Sequence, residues 1–318
     1  MEHYVTLFDS MYLPQGISLH RSMERNIKNF TLWILCLDKK TLEILQKLDL
    51  LNVKLLDINY FETDELLSVK GSRTKGEYCW TLTPFAPKFI FDSDDSVKRV
   101  TYIDADLWFR NNPKDIFMEF EESKKEVLIT EHDYSKEYGQ SLASGKYCVQ
   151  FMTFNRVGGE SVRDWWQQRC IEWCFARFED GKFGDQKYLD DWDVRFKEKV
   201  HILSNKELIL APWNATKYPY INSVVWHFQG LRIFKKNFLF YVYFGFYKFP
   251  YKTKKYLYME YLKDLEFSIN TLNKLNFNIP DQGKLTKWQK IKEYFFSFLK
   301  KLGLGSSSNL AKLEISKK

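Results

Sequence analysis

The sequence predicts an α/β fold with a mixed, mainly parallel central sheet flanked by helices. Apolar strand-like segments alternate with amphipathic helical segments through the first 57 residues, and this alternation is typical of parallel strands joined by crossover helices. A hydrophobic fraction of 45% and an aromatic fraction of 18% indicate a folded chain with a large core. A length of 318 residues permits one large domain or two smaller ones, and one domain with a tail is the expectation.

The predicted elements follow in a regular order. We expect strands at residues 4–8, 31–37 and 53–57, with helices at 17–29 and 40–48 between them. Beyond these we expect a helix at 83–91, strands at 99–103, 126–130 and 149–154, and an amphipathic helix at 161–179. Ligands of such sheets bind beyond the carboxyl ends of the strands, so residues at those ends are the first candidates for a site.

Charge divides the chain into an acidic body and a basic end. Residues 232–318 contain 18 Lys and Arg but 6 Asp and Glu, a net charge of +12, which leaves −5 for the first 231 residues. This asymmetry argues against a general nucleic-acid-binding protein and favours a basic end that meets an anionic surface. We predict a main domain at residues 1–235, an aromatic and basic helical extension at 236–303, and a flexible tail at 304–318.

The extension contains an amphipathic segment at residues 286–302, with apolar side chains on one helical face and lysines on the other. Such a helix either lies in a membrane interface or packs its apolar face on the main domain. The most apolar run, 238–247, has ten residues, about half of the roughly 20 that span a bilayer. The chain shows no secretory signal, and the spacing of its five cysteines fits reduced thiols in a cytoplasmic protein.

Two carboxylates follow the strand predicted at 99–103. Asp104 and Asp106 stand two positions apart at its carboxyl end, where an α/β sheet presents ligands. Carboxylate oxygens suit Mg²⁺ or Mn²⁺, and such an ion retains positions for phosphate oxygens. A surface turn can contain the same pair without binding a metal, so the interpretation depends on the surrounding sequence.

That surrounding sequence resembles the GT-A glycosyltransferases. A strand precedes the two aspartates, an aromatic residue follows them, and Asn111, Asn112 and Pro113 close a turn. The resemblance extends over most of residues 1–232 and implies a GT-A-like, Rossmann-like catalytic domain. It also implies a nucleotide-diphosphate sugar as donor and Mn²⁺ or Mg²⁺ as cofactor.

The resemblance also assigns the donor-binding residues. The segment from Phe8 to Gly16 looks like the first strand and loop of these enzymes, where the nucleotide is received. Asp9 and Tyr12 are candidates for the base and ribose, with a helix cap and simple packing as their structural alternatives. Lys88 is either a phosphate ligand or an ordinary surface lysine. The complete predicted donor set is Phe8, Asp9, Tyr12, Lys88, Asp104, Ala105, Asp106, Gly230 and Arg232.

Two further motifs are similar to those of the retaining glycosyltransferase family eight. Asp185 and Gln186 match an Asp-Gln pair that lies beside the donor sugar, which makes them the predicted catalytic residues; a helix N-cap is the alternative for Asp185. His227 and Gly230 match an H-x-x-G element whose histidine is a third metal ligand, and a packed core imidazole is the alternative for His227. The K-P-W of that family is absent, which leaves phosphate binding to Arg232, to Lys235 or to neither.

The predicted function is transfer of a sugar from a nucleotide donor to a saccharide or lipid-linked glycan in surface polysaccharide biosynthesis. The resemblance favours retention of configuration; an inverting reaction requires a carboxylate base such as Asp133 or Asp185. A basic amphipathic end fits peripheral contact with the inner face of the cytoplasmic membrane. The alternatives are a sugar-nucleotide nucleotidyltransferase and a glycan-binding scaffold without activity. The absence of P-loop, G-x-G-x-x-G and Ser/His/Asp patterns argues against kinases, dehydrogenases and hydrolases.

Overall fold

The computed structural model describes residues 1–138, 144–236, 239–282, 310–313 and 315. The strands in these residues form three sheets. In chain order the strands are β1 (Glu2–Phe8), β2 (Phe30–Cys36), β3 (Val53–Asp57), β4 (Arg99–Ile103), β5 (Leu107–Phe109), β6 (Val127–Glu131), β7 (Tyr147–Asn155), β8 (Val200–Ile202), β9 (Ile209–Leu210), β10 (Val225–His227), β11 (Arg232–Lys236), β12 (Leu239–Tyr243) and β13 (Leu310–Lys312).

Helices connect and cover these strands. In chain order the described α-helices are α1 (Leu13–Asn26), α2 (Lys39–Leu48), α3 (Asp64–Lys70), α4 (Lys75–Leu82), α5 (Ala86–Ser93), α6 (Lys114–Ser123), α7 (Glu160–Glu172), α8 (Trp192–Arg195) and α9 (Met259–Lys274). The longer 3-10 turn at Gln186–Asp191 and a π-helical turn at Thr253–Tyr258 lead into α8 and α9.

The largest sheet has seven strands in the order β3-β2-β1-β4-β7-β6-β8. Strands β3, β2, β1 and β4 are parallel, β8 is parallel to β6, and β7 runs antiparallel to both of its neighbours. The predicted mixed, mainly parallel sheet flanked by helices is therefore confirmed. Crossover helices α1 and α2 account for the parallel half, since parallel neighbours require such connections.

Two three-stranded sheets lie outside the large one. In the first, β10 pairs with β5 antiparallel and with β9 parallel, which brings the segment around residue 227 beside the segment that follows β4. In the second, β12 lies between β11 and β13. The first of these sheets thus brings a distant part of the chain to the carboxyl end of β4.

Buried aromatic side chains dominate the interior. The described core forms two large clusters, and α1 and α9 contribute to the same one. Asp264 of α9 joins the two helices, accepting hydrogen bonds from Arg25 and from Arg21 of α1. The indole of Trp108 in β5 donates to the same carboxylate at 2.7 Å, so residues beyond 236 contribute to the packing around β5.

Three predicted helices differ in extent from those observed. Helix 17–29 begins at Leu13, because Pro14 is tolerated in a first helical turn, and it ends at Asn26 before the extended Ile27. Residues 83–91 form a 3-10 turn followed by α5, each with a proline near its start. The helix predicted at 161–179 ends at Glu172. Trp173 is extended but still buried, so the apolar pattern of the sequence continues beyond the end of the helix.

All five cysteines are free thiols, and four of them are buried. The helix predicted at 286–302 lies outside the described residues. Of the helices that the structure describes, none combines the length and apolar character needed to cross a bilayer.

Candidate active site

A tight turn at the carboxyl end of β4 carries the two predicted aspartates. The amide of Asp104 donates to the carbonyl of Gln150 at 3.1 Å, which attaches the turn to β7, and the amide of Leu107 donates to the carbonyl of Asp104 at 3.1 Å. Ala105 is buried between them. The side chains of Asp104 and Asp106 are 23% and 14% exposed, so both keep access to a ligand.

His227 reaches the same point from β10. The antiparallel register places His227 opposite Leu107, and the amide of Phe228 donates to the carbonyl of Asp106 at 2.9 Å. The Nε2 atom of His227 lies 3.1 Å from Oδ1 of Asp106 and 3.7 Å from Oδ2 of Asp104. The three ligand atoms lie within 4.8 Å of one another.

The chemistry of these donors fits a divalent cation. Two carboxylate oxygens and one imidazole nitrogen form a mixed oxygen and nitrogen set that could bind a divalent metal ion. Among the residues that the structure describes, no other group of three His, Cys, Asp or Glu ligands lies this close together. Asp104, Asp106 and His227 are hereafter the acidic triad.

The three side chains of the triad influence one another's pKa. Burial opposes the charged form of His227, but the negative charges of Asp106 and Asp104 outweigh it and raise the pKa of the imidazole. Burial raises the pKa of Asp104, and the charge of Asp106 adds to this effect. For Asp106, His227 and Arg232 outweigh burial and lower the pKa. A cation held by these residues would supply the positive charge that balances the two carboxylates.

Two buried side chains orient the triad, and neither was predicted. The hydroxyl of Tyr102 donates to Oδ1 of Asp104 at 2.8 Å, and Oε1 of Gln150 lies 2.8 Å from Nδ1 of His227. The indole of Trp213 contacts the same imidazole edge to face, at 5.4 Å between ring centroids. Tyr102 lies in β4, two positions before Asp104, so the alternation of side chains along an extended segment indicates that the two side chains share a face. No local pattern in the sequence indicates the role of Gln150.

Asp185 lies beside the triad in a buried position. It precedes the 3-10 turn at Gln186–Asp191, makes no capping hydrogen bond with its side chain, and is 3% exposed. Its Oδ2 atom has no hydrogen-bond partner within the described part of the chain. Burial and the charge of Asp104 raise its pKa to about 7. Gln186 begins the turn and is half-buried.

The predicted nucleotide loop precedes α1. Oδ1 of Asp9 accepts from the amide of Met11 at 3.0 Å, so Asp9 stabilises the turn that leads into the helix. Phe8 is buried, and its ring fills the space that a side chain at Gly16 would need. Burial raises the pKa of Tyr12 to about 12, and the next largest influence is the opposing charge of Arg232.

The remaining predicted donor residues divide into two groups. Gly230 adopts a φ of 78° between β10 and β11, and Arg232 begins β11 close enough to influence both Asp106 and Tyr12. Lys88 instead forms an ion pair with Asp92, one turn later in α5, at 2.5 Å. The structure therefore brings Tyr12, Arg232 and Asp185 near the triad, whereas Lys88 is paired along its own helix.

Comparison with solved structures supports the fold. The seven-stranded mixed sheet with carboxylates at the end of β4 defines a protein with the GT-A glycosyltransferase fold. A solved structure of the bifunctional glycosyltransferase WbbM, in its apo form, matches 86% of this chain and 51% of its own, with a TM-score of 0.50 and 14% sequence identity. At that identity the likeness establishes the fold.

Sequence relatives place the chain in a family. The uncharacterized protein YfnF of Bacillus subtilis (strain 168) is 30% identical over 254 residues, 74% of this chain and 83% of YfnF. YfnD of the same organism, also described as uncharacterized, is 27% identical over 246 residues, 73% of this chain and 78% of YfnD. No protein-family model matches the chain. The protein belongs to the family of YfnF.

Proposed function

We propose that this protein is a metal-dependent glycosyltransferase that moves a sugar from a nucleotide-diphosphate donor to a saccharide or lipid-linked glycan. The observation that carries the proposal is the acidic triad, three ligand atoms within 4.8 Å of one another at the carboxyl end of β4. Its place at the strand ends is where open α/β sheets bind ligands. The fold shared with WbbM, a bifunctional glycosyltransferase, supports the same activity.

The chain's own residues have distinct proposed roles. Asp104, Asp106 and His227 hold the cation, and Mn²⁺ or Mg²⁺ bound there supplies the charge that neutralises a departing diphosphate. Asp9 and Tyr12 receive the base and ribose, with Phe8 and Ala105 shaping the pocket. Arg232, which begins β11 after the turn at Gly230, is the proposed contact for the phosphates.

Asp185 and Gln186 are the proposed residues on the sugar side. A carboxylate oxygen without a partner, in a residue that is 3% exposed, is a strong acceptor for sugar hydroxyl groups. We propose retention of configuration, in which the leaving phosphate accepts the proton of the acceptor hydroxyl. If the reaction inverts, Asp185 is the better base, because the hydrogen bonds of Lys217 and Tyr218 outweigh burial and lower the pKa of Asp133.

The basic end supports a place at a membrane surface. In the segment before α9, Phe246, Tyr251 and Tyr256 are exposed beside Lys252 and Lys255. Aromatic and lysine side chains together favour the interface of an anionic bilayer. We propose peripheral contact with the inner face of the cytoplasmic membrane, where an acceptor for surface polysaccharide biosynthesis is lipid-linked.

A panel of nucleotide sugars tests the proposal without knowledge of the acceptor. The purified protein is incubated with UDP-, GDP-, CDP- and dTDP-sugars, with Mn²⁺, with Mg²⁺ and with EDTA, and release of nucleotide diphosphate is followed. We expect slow metal-dependent hydrolysis of one donor class. The variants Asp104→Asn, Asp106→Asn and His227→Ala should lose it by a factor of about 100 or more.

The matched control is Asp94→Asn, which removes a surface carboxylate that accepts from Lys54 at 3.2 Å and should leave hydrolysis unchanged. Full turnover by Asp104→Asn or Asp106→Asn contradicts the proposal. Release of pyrophosphate from a nucleoside triphosphate and a sugar phosphate would instead identify a nucleotidyltransferase. A scaffold protein should bind nucleotide diphosphates no better with Mn²⁺ than without it.

A further inference from the structure

The side chain of Gln282 uses all four of its hydrogen-bonding positions. Its Nε2 atom donates to the carbonyl of Met11 at 2.7 Å and to Oε1 of Gln15 at 2.9 Å. Its Oε1 atom accepts from the amide of Ile233 at 3.0 Å and from Nε2 of Gln15 at 2.7 Å. Gln282 is 6% exposed and Gln15 is 1% exposed. A buried amide pair satisfied this completely fixes the separation of the segments that it joins.

Those segments are the turn before α1 and the start of β11, which are both proposed to receive the donor. Met11 belongs to the turn and is followed by Tyr12, and Ile233 in β11 is preceded by Arg232. The main chain reinforces the connection, because the amide of Gln282 donates to the carbonyl of Ile233 at 2.9 Å. Gln282 itself follows α9 and belongs to neither segment.

Tyr12 and Arg232 stand next to the residues that Gln282 holds. Tyr12 directly follows Met11 and Arg232 directly precedes Ile233, so the hydrogen bonds of Gln282 to Met11 and Ile233 fix the spacing of the two segments. A ligand that contacts Tyr12 and Arg232 together binds more tightly when that spacing is fixed beforehand, since ordering two segments on binding weakens affinity.

We infer that Gln282, in the segment that follows α9, is a positioning residue for the nucleotide of the donor. The inference rests on the proposed function, because it assigns a shared support to two segments of that site. The side-chain hydrogen bonds of Gln282 go to Met11, Gln15 and Ile233, so it acts through these residues. Donor binding thus depends on a residue far along the chain from the turn that it holds.

Only an amide of this length satisfies the site. A carboxylate in Gln282→Glu accepts from Ile233 and Gln15 but has no hydrogen for the carbonyl of Met11, and it faces that carbonyl oxygen with a negative charge. The shorter Gln282→Asn keeps the amide but cannot reach Met11 and Ile233 at once. The first change adds a negative charge and the second keeps the side chain neutral, and neither alters a residue of the triad.

The test measures binding of UDP, GDP, CDP and dTDP by titration calorimetry with saturating Mn²⁺, in the full-length protein. With the nucleotide that binds most tightly, we expect Gln282→Glu and Gln282→Asn to raise the dissociation constant about tenfold, as the loss of one buried hydrogen bond predicts. The control is Asp281→Ala, which removes the neighbouring acceptor of the Lys235 amide at an exposed position and should leave binding unchanged.

A melting curve of each variant separates positioning from folding. A purely structural role lowers the melting temperature but leaves the dissociation constant of the folded protein at 20 °C unchanged, and that result overturns the inference. If Gln282→Glu does not fold, Gln282→Asn alone decides. Failure of the unchanged protein to bind any nucleotide diphosphate with Mn²⁺ is a different result, which overturns the proposed function itself.

Discussion

Oε1 of Gln150 lies 2.8 Å from Nδ1 of His227, on the ring edge opposite the nitrogen that faces Asp106 and Asp104. An amide oxygen in this place accepts a hydrogen bond from Nδ1 and leaves the lone pair of Nε2 available. Metal-binding histidines are commonly fixed in this way by an oxygen behind the ring. Gln150 therefore selects the tautomer of His227 that can bind a cation.

The first prediction concerns metal affinity. Gln150→Leu removes the acceptor behind His227, and we expect the dissociation constant for Mn²⁺ to rise by a factor of about 10 to 100. Electron paramagnetic resonance of free Mn²⁺ measures this directly. Gln150→Glu, which retains an acceptor oxygen, is the control and should bind Mn²⁺ at least as tightly as the unchanged protein. Equal affinity in the leucine variant would contradict the assigned role of Gln150.

Local sequence patterns were sufficient to predict the two aspartates but not Gln150. Asp104 and Asp106 follow a strand directly, so local pattern and strand polarity were enough to predict their place. His227 is distant in sequence and was predicted from resemblance to a family motif. Gln150 depends on the pairing of β7 beside β4, which fixes what lies behind the imidazole. Local patterns do not encode that register.

Lys88 and Gln282 differ in what the sequence shows of their contacts. Lys88 was a candidate from its place before the metal strand, and Asp92 at the fourth position after it is a local signal for the helical ion pair that the structure shows. Gln282 was not a candidate, since its partners Met11 and Gln15 lie at the opposite end of the sequence. The mixed, mainly parallel type of sheet could be predicted from the sequence. The position of the antiparallel strand β7 between β4 and β6 could not.

The second prediction concerns pH and Asp185. Its pKa in the folded protein is raised to about 7 by burial and by Asp104, whereas an unfolded aspartate titrates near 3.9. Between these values the folded state holds a proton that the unfolded state has lost, so this group makes stability fall as pH rises. Asp185→Asn stays neutral and should be more stable than the metal-free parent above pH 7, by on the order of 4 kcal/mol.

Urea unfolding in EDTA at pH 5 and pH 8 measures this difference. The advantage of Asp185→Asn should be larger at pH 8, because the parent then carries the buried charge. Asp133→Asn is the opposite control: the pKa of Asp133 is lowered, since hydrogen bonds from Lys217 and Tyr218 outweigh burial, so this variant should lose stability above pH 4. An advantage of Asp185→Asn that does not change with pH would refute the assignment.

The third prediction compares two helical glycines. A Cβ atom at Gly16 in α1 would lie 2.4 Å from the ring of Phe8, whereas at Gly76 in α4 it would meet no atom within 4 Å. Gly16→Ala should therefore destabilise the protein by about 1 to 3 kcal/mol and displace Phe8. Gly76→Ala should stabilise it by about 0.5 kcal/mol through helix propensity. Thermal unfolding of both variants checks the sign, and a stable Gly16→Ala would show that Phe8 moves freely.

The last prediction concerns Asp264, which joins α9 to the strand beside the triad. Its carboxylate is 7% exposed and accepts from Arg21, from Arg25 and from the indole of Trp108 at 2.7 Å. Asp264→Ala leaves the buried indole nitrogen without a partner and two guanidinium groups without their shared counter-charge. We expect a loss of about 2 to 3 kcal/mol in the free energy of unfolding, measured in urea.

Asp264→Asn separates the hydrogen bond from the charge. It keeps an oxygen for Trp108, and because the side chains of Arg21 and Arg25 are 37% and 42% exposed, water compensates much of the lost ion pairs. The asparagine variant should therefore lose only about 1 kcal/mol. If both variants lose the same amount, charge rather than the indole contact dominates. If neither loses stability, α9 does not support β5, and the triad is held by the paired strands β5 and β10 alone.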